Sequence, residues 1–75
     1  MNWREYITVD PSTCHGRACF QGTRILVSVV LDNLAAGEST DSVLRCYPTL
    51  DVGAIDAAIA YAAELARERV VALPA

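Results

Sequence analysis

Gly22-Thr23-Arg24-Ile25 is the stretch at which the chain changes from one kind of structure to another. The residues before it, from about 7 to 20, have the short alternating pattern of extended chain. From Ser28 onward the apolar residues are spaced as in helices. Gly22 suits a turn because glycine adopts backbone conformations that other residues avoid. The tetrapeptide therefore predicts the junction between a β arm and a helical unit, with Thr23 making a local hydrogen bond and Ile25 anchored in the core.

The arm before this junction contains two candidate strands. Tyr6-Ile7-Thr8-Val9 alternates aromatic and β-branched residues, and Asp10-Pro11-Ser12 then ends the run with turn-forming residues. Arg17-Ala18-Cys19-Phe20 is the second candidate strand. We predict a hairpin-like arm over about residues 6–25. Because a lone two-stranded ribbon is marginally stable in water, the arm should be covered by helices or paired with another chain.

Three helices are predicted after the arm, at about 28–36, 40–47 and 51–71. Each begins at a residue type that commonly caps helix N-termini, namely Ser28, Ser39 or Thr40, and Asp51. Gly37 suits the end of the first helix and Pro48 the end of the second. The predicted fold is mainly α. It is a single domain over residues 1–75 in which a short N-terminal β-hairpin arm precedes a three-helix, homeodomain-like (helix-turn-helix-like) unit.

The third predicted helix has a wide apolar arc made of two neighbouring stripes. One stripe consists of Ile55, Ile59, Ala62, Ala66 and Val70, and the other of Ala54, Ala58, Tyr61 and Leu65. One stripe can pack on the core and the other on a second molecule.

The composition favours a small domain that uses part of its surface for binding. The chain has 75 residues, of which 53% are hydrophobic, and its mean hydropathy of +0.29 is high for a small domain. A chain this short cannot bury all of those side chains, so some apolar surface is expected to be an interface. We expect a homodimer. The candidate interface residues are Ile7, Val9, Phe20, Tyr61 and Leu65.

No run in the sequence approaches the roughly 18 consecutive apolar residues of a membrane helix. The first residues lack the basic start and apolar core of a signal peptide. The expectation is a cytoplasmic protein that does not associate with membranes. The odd number of cysteines, three, argues against a disulfide framework and favours reduced thiols.

Metal binding and catalysis find little support in the sequence. Cys14, His15 and Cys19 are three possible metal ligands within six residues, but no second cluster completes a zinc site and Cys46 is distant. Nothing recognisable orients His15 as the base of a Cys-His pair. No phosphate-binding loop, carboxylate pair or nucleophile motif is found. We therefore expect no enzyme, no metal, no cofactor and no small-molecule substrate.

The outline of a helix-turn-helix unit raises the question of DNA binding. In that arrangement the start of the third helix would face the bases. This segment carries Asp51 and Asp56 and no basic or amide side chain, whereas base readout relies on Arg, Lys, Asn and Gln. The net charge of -3 also opposes attraction to phosphates. A scaffold role for the helix is favoured, with direct DNA contact as the alternative.

The better candidates for DNA contact are three arginines of the arm, Arg4, Arg17 and Arg24. Arms and ribbons can also dock on the phosphate backbone. Arg24 has a competing role, because its guanidinium can hold the turn by bonding local carbonyls or an acidic residue. We favour the local role for Arg24.

The order of these motifs resembles the domain-of-unknown-function family 433. The matching blocks are Ile7-Thr8-Val9-Asp10-Pro11, Gly16-Arg17-Ala18-Cys19-Phe20-Gln21-Gly22-Thr23-Arg24-Ile25, Leu34-Ala35-Ala36-Gly37-Glu38-Ser39, Tyr47-Pro48-Thr49-Leu50 and Ile55-Asp56-Ala57-Ala58-Ile59-Ala60-Tyr61-Ala62. The resemblance covers about residues 6–65. The chain differs from the family's pattern at His15, where Gly is common, and at Ala54, where an acidic residue is frequent. Both differences are tolerable for the fold.

The resemblance implies a small bacterial or archaeal protein with a homeodomain-like helical unit behind a short β arm. Members are often regarded as antitoxin components, similar to VapB-type proteins and paired with a PIN-like ribonuclease toxin. The implied function is to bind and neutralise that toxin and to autoregulate the operon by binding promoter DNA. The resemblance supplies no catalytic residue. Two alternatives stay open: a stand-alone DNA-binding transcriptional regulator and a structural dimerisation module.

Overall fold

A computed structural model describes residues 2–12 and 16–68 of the chain. The elements in chain order are a 3₁₀ helix at Trp3–Glu5, strands β1 (Ile7–Val9) and β2 (Ala18–Phe20), and helices α1 (Val27–Ala35), α2 (Thr40–Cys46) and α3 (Val52–Glu68). The predicted mainly α fold, a β hairpin followed by three helices, is confirmed. The end predicted for the third helix, at 71, lies outside the described residues.

The strand β2 is the middle one of three extended segments. On one side it pairs antiparallel with β1, so that Thr8 lies opposite Cys19. On the other side the chain returns, and Leu26 forms an antiparallel bridge with the same Cys19. The backbone N–H of Phe20 donates to the carbonyl of Ile25 at 3.1 Å. The junction tetrapeptide is therefore a second tight turn that folds the chain back along β2 before the first helix begins.

The side chain of Thr23 holds this turn together. Its hydroxyl donates to the carbonyl oxygen of Phe20 at 2.8 Å and accepts the backbone N–H of Ile25 at 3.1 Å. Gly22 has a φ of 76°, a left-handed conformation that costs a glycine little. Ile25 is partly buried against the core. These are the roles that the sequence predicts for Gly22, Thr23 and Ile25.

Helix α1 begins at Val27, and Ser28 does not cap it. The residue at the cap position is Leu26, whose side chain makes no capping hydrogen bond. Leu26 is held in an extended conformation with a ψ of 138° and still pairs with β2. The helix therefore starts where strand pairing ends, and Ser28 lies exposed in its first turn.

The other predicted helix boundaries are formed by the expected residues. Gly37, with a φ of 95°, follows the end of α1. The hydroxyl of Ser39 accepts the N–H of Ser42 at 3.1 Å at the start of α2. The carboxylate of Asp51 accepts the N–H of Ala54 at 2.9 Å at the start of α3. The side chains of Ser39 and Asp51 each satisfy an N–H that the first turn of a helix leaves unpaired.

The core lies between the hairpin and the three helices. Its buried members are Ile7, Phe20, Val27, Val30, Val43, Leu50, Ala54, Ile55, Ala57 and Ala58. The small residues on the inner face of α3 let that helix approach the hairpin and α1 closely. The sequence places Ile55 and Ile59 on one stripe, but Ile55 is buried whereas Ile59 is 51% exposed. The two positions are four residues apart, so they differ by about 40° around the helix axis, which places Ile59 at the edge of the buried arc.

The N-terminal 3₁₀ helix covers α3. The ring of Trp3 meets the ring of Tyr61 edge to face, with 4.7 Å between the centroids, and its indole N–H donates to the carboxylate of Glu64. Further along, Tyr6 packs on Gly53 near the start of α3. Of the two predicted ways to stabilise the arm, cover by helices or pairing with another chain, the first is found within the chain, because Ile7 and Phe20 of the hairpin share the core with the helices.

Candidate partner-binding groove

An open groove of about 510 Å³ lies where the far end of the hairpin meets α1 and α3. We call it the hairpin groove. The described residues that line it are Val9, Gly16, Arg17, Ala18, Val27, Ser28, Leu31, Tyr61 and Leu65.

The hairpin supplies one wall because β1 leaves the core as it approaches the groove. Ile7 and Val9 lie on the same face of the strand, since side chains alternate along it. Ile7 is 3% exposed, whereas Val9 is 54% exposed. Val9 pairs with Ala18 of β2, which also lines the groove. The face of the hairpin that forms the core at one end thus forms an accessible apolar wall at the other.

Helix α3 supplies the opposite wall through Tyr61 and Leu65. Residues four apart lie on the same helix face, one turn from each other. Tyr61 is held by its edge-to-face contact with Trp3, whereas Leu65 is 46% exposed. Exposed leucine and valine side chains that line the same concave surface are typical of a binding site for an apolar side chain.

The charge of the hairpin groove comes from Arg17. This exposed side chain precedes β2 and borders the apolar wall. No acidic side chain is found among the described residues that line the groove. The arrangement suits an apolar segment that carries a carboxylate beside its anchoring side chains, because arginine binds carboxylates through two parallel hydrogen bonds.

The structure brings together three of the five candidate interface residues. Val9, Tyr61 and Leu65 all line the hairpin groove. Ile7 and Phe20 are instead core residues of the chain itself, 3% and 2% exposed. These two side chains are buried because they face each other across the hairpin and pack under the helices. They are therefore not accessible to a partner in this structure.

The three arginine candidates for DNA contact are exposed but lie in different surroundings. Arg17 borders the hairpin groove. The guanidinium of Arg4 lies over the ring of Trp3, with Cζ 4.4 Å from the centroid. Arg24 lines a separate open depression together with Thr8.

The start of α3 does not have the chemistry of a base-reading helix. Gly53 lies under the ring of Tyr6, and Ala54 is buried in the core. The exposed side chains of the first turns are those of Val52 and Asp56. An aliphatic group and a carboxylate are poor partners for a phosphate-rich groove.

Ser12 holds the turn after β1 by binding the carboxylate of Asp10. The backbone N–H and the hydroxyl of Ser12 both donate to Oδ1 of Asp10, each at 2.8 Å. Hydrogen bonds to the charged form favour it. The backbone N–H, and after it the hydroxyl, therefore hold the pKa of Asp10 below its ordinary value.

The cysteines and the histidine do not form a described site. Cys14 and His15 lie outside the described residues. Cys19 is buried in β2, and Cys46 is exposed on α2. Within residues 2–12 and 16–68, no three His, Cys, Asp or Glu side chains are grouped as metal ligands. In the same part of the chain, no helix combines the length and the apolar character needed to cross a bilayer.

Comparison with known proteins identifies the family. The family model described as "Protein of unknown function (DUF433)" matches residues 7–62, which run from β1 into α3. The chain belongs to the DUF433 family. This DUF433 chain is also similar to the uncharacterized protein y4eO of Sinorhizobium fredii, with 37% identity over 59 residues. The matched region is 79% of this chain and 27% of that relative. No solved structure matches the chain.

Sequence patterns alone do not reveal the groove as one site. Leu65 is far along the chain from Val9 and Arg17, and only the packing of α3 brings it to the hairpin. Leu31 and Ser28 also line the groove, although the sequence indicated Ser28 only as a helix cap. The sequence indicated a binding surface only through its excess of apolar residues, which predicts that an interface exists but not where it lies.

Proposed function

We propose that this DUF433 protein is an antitoxin-like binding protein that neutralises a protein toxin through the hairpin groove. The observation that supports this function is the juxtaposition of exposed Val9 and Leu65 with Arg17 on one concave surface. Apolar anchors in a pocket with a charged group at the rim are the usual centre of a protein–protein interface.

The class of partner follows from the family resemblance and from charge. The resemblance points to a PIN-like ribonuclease toxin. A chain with a net charge of -3 is attracted to a basic surface, and a ribonuclease needs such a surface to bind RNA. The groove would then take an apolar segment of the toxin, with Arg17 binding a carboxylate beside it.

The function is tested by co-expression with the product of the neighbouring reading frame. We expect the two proteins to copurify and the chain to relieve growth inhibition by its partner. Val9→Glu and Leu65→Glu should each abolish both effects, because they place a carboxylate against the apolar walls. Failure of the native chain to copurify and to relieve toxicity would refute the proposal.

Two controls distinguish a specific role of the groove from general effects of added charge or of unfolding. Thr49→Glu adds the same charge at an exposed residue of the turn before α3 and should leave binding unchanged. Far-ultraviolet circular dichroism should show that each variant keeps its helix content. Equal loss of binding with Thr49→Glu would mean that added negative charge, and not the groove, is responsible.

DNA binding is the second candidate, and the exposure of Arg4, Arg17 and Arg24 favours it. It would provide autoregulation of the operon or a stand-alone regulatory role. The test is a gel shift on the chain's own promoter at two salt concentrations, with and without Arg17→Ala and Arg24→Ala. A complex that weakens in salt and with these variants supports DNA contact, and the lack of any shift at low salt excludes it.

A further inference from the structure

The outer side of α3 carries an apolar stripe that the hairpin groove does not include. Val52 is 57% exposed and Ile59 is 51% exposed. Ala63 and Ala66 are also exposed and follow Ile59 on the same face, because residues three, four and seven apart share a side of a helix. We call these four residues the outer stripe.

Two opposite charges flank one edge of the outer stripe. Asp56 and Arg67 are exposed and lie eleven positions apart, so both project within about 20° of the same direction and about 16 Å apart along the axis. The distance is too long for a pair within one helix. Within the described residues, neither side chain makes a hydrogen bond or an ion pair.

A two-fold antiparallel pairing of α3 would satisfy both charges. If the symmetry axis passes between residues 61 and 62, Asp56 of each copy lies level with Arg67 of the other and on the same edge. A two-fold interface repeats each contact, so one dimer contains this pair twice. A parallel pairing would instead put each Asp56 level with the other Asp56 and on the opposite edge, so that no Asp56 would lie beside an Arg67.

Two members of the outer stripe fit this register. Ile59 and Ala63 are centred on residue 61, half a residue from the midpoint of the two charges. In this register the side chain of Ile59 packs against Ala63 of the other copy, and the small side chains of Ala63 and Ala66 let the helices approach closely. A self-complementary surface has this property, namely that one register satisfies both the apolar contact and the charges.

We propose that the outer stripe is a homodimer interface in which α3 pairs antiparallel with α3 of a second copy, with Asp56 of each chain beside Arg67 of the other. This interface differs from the candidate set Ile7, Val9, Phe20, Tyr61 and Leu65 indicated by the sequence. It leaves the hairpin groove open on each copy. The dimer would therefore present two partner-binding grooves.

Charge reversal tests the pairing by sedimentation velocity over a range of protein concentrations, without any partner protein. Asp56→Arg should raise the dimer dissociation constant by about tenfold or more, because the new guanidinium at position 56 of each copy then lies beside Arg67 of the other. Arg67→Asp should do the same, since it brings two carboxylates together. The double variant Asp56→Arg/Arg67→Asp restores opposite charges and should recover a dissociation constant close to that of the native chain.

Further variants show whether the dimer forms through the outer stripe or through the hairpin groove. Ile59→Glu should yield a monomer that still binds the partner protein, and Asp32→Arg, an equal charge change at an exposed position of α1, should not alter the dimer. The proposal is overturned if the native chain is monomeric at the highest concentrations, if the double variant is no better than the single ones, or if Val9→Glu rather than Ile59→Glu dissociates the dimer. Dimerisation is measured on the isolated chain. A monomeric chain would therefore refute the dimer without refuting the function of the hairpin groove, which copurification with the partner tests.

Discussion

The ring of Tyr6 lies so close to Gly53 that a Cβ added at residue 53 would come within 2.8 Å of its Cζ atom. Gly53 is the second residue of α3, and glycine is ordinarily a poor residue inside a helix. The absence of a side chain here lets the end of the N-terminal segment pack directly on the helix backbone. The contact links the arm to the helical unit and covers the side of α3 on which Gly53 lies.

Gly53→Ala is therefore expected to destabilise the protein. In an open helix the substitution would stabilise by about 1 kcal/mol, but here the new methyl group must displace a ring that packs against the core, which costs about 1–3 kcal/mol. Urea denaturation measures the difference. Tyr6→Leu removes the ring, so Gly53→Ala should become stabilising in the Tyr6→Leu background. Higher stability of the single variant Gly53→Ala would contradict this account.

Thr23→Val is expected to cost about 1–2 kcal/mol of unfolding free energy, because the substitution keeps the shape but removes two hydrogen bonds of the turn. The N–H of Ile25 and the carbonyl of Phe20 would lose their hydroxyl partner. Thr23→Ser, which keeps the hydroxyl, should retain most of the stability, and Thr49→Val at an exposed position should change little. Equal denaturation midpoints for Thr23→Val and Thr49→Val would show that the hydroxyl does not hold the turn.

The sequence predicted the elements of this fold well because their boundaries depend on local chemistry. Ser39 and Asp51 cap their helices, and Gly37 follows α1 in a left-handed conformation. Prediction failed where the boundary depends on a contact distant in sequence. The bridge between Leu26 and Cys19 sets the start of α1. No residue pattern near Ser28 indicates that this bridge forms.

The candidate site was predictable only in part for the same reason. Of the interface candidates, Val9, Tyr61 and Leu65 line the hairpin groove, but the same apolar pattern also selected Ile7 and Phe20, which are core. Alternation along a strand tells which side chains share a face. It does not tell at which residue the strand leaves the cover of the helices, because that depends on where α1 and α3 pack.

Glu64→Ala is expected to loosen the docking of the N-terminal 3₁₀ helix. The carboxylate accepts the indole N–H of Trp3, the one tryptophan of the sequence, so the fluorescence of the native protein reports this contact directly. We expect an altered emission maximum and a loss of about 1–2 kcal/mol. Asp32→Ala removes an exposed carboxylate of α1 and should leave both quantities unchanged. Identical spectra for Glu64→Ala and the native protein would contradict the docking.

The titration of Asp10 provides a test of the turn that follows β1. Because Ser12 donates two hydrogen bonds to the carboxylate, the pKa of Asp10 lies below its ordinary value, and carboxyl chemical shifts followed by NMR against pH should show this. Ser12→Ala removes the hydroxyl but keeps the backbone N–H, which is the larger cause, so the pKa should rise only part of the way. The lowered pKa means that the ionised carboxylate stabilises the folded state above the unfolded pKa, and that this stabilisation is lost as the pH falls through the folded value. The stability difference between Ser12→Ala and the native chain should therefore be present at neutral pH and vanish in acid, and a difference that persisted below the folded pKa would assign it to another interaction of Ser12.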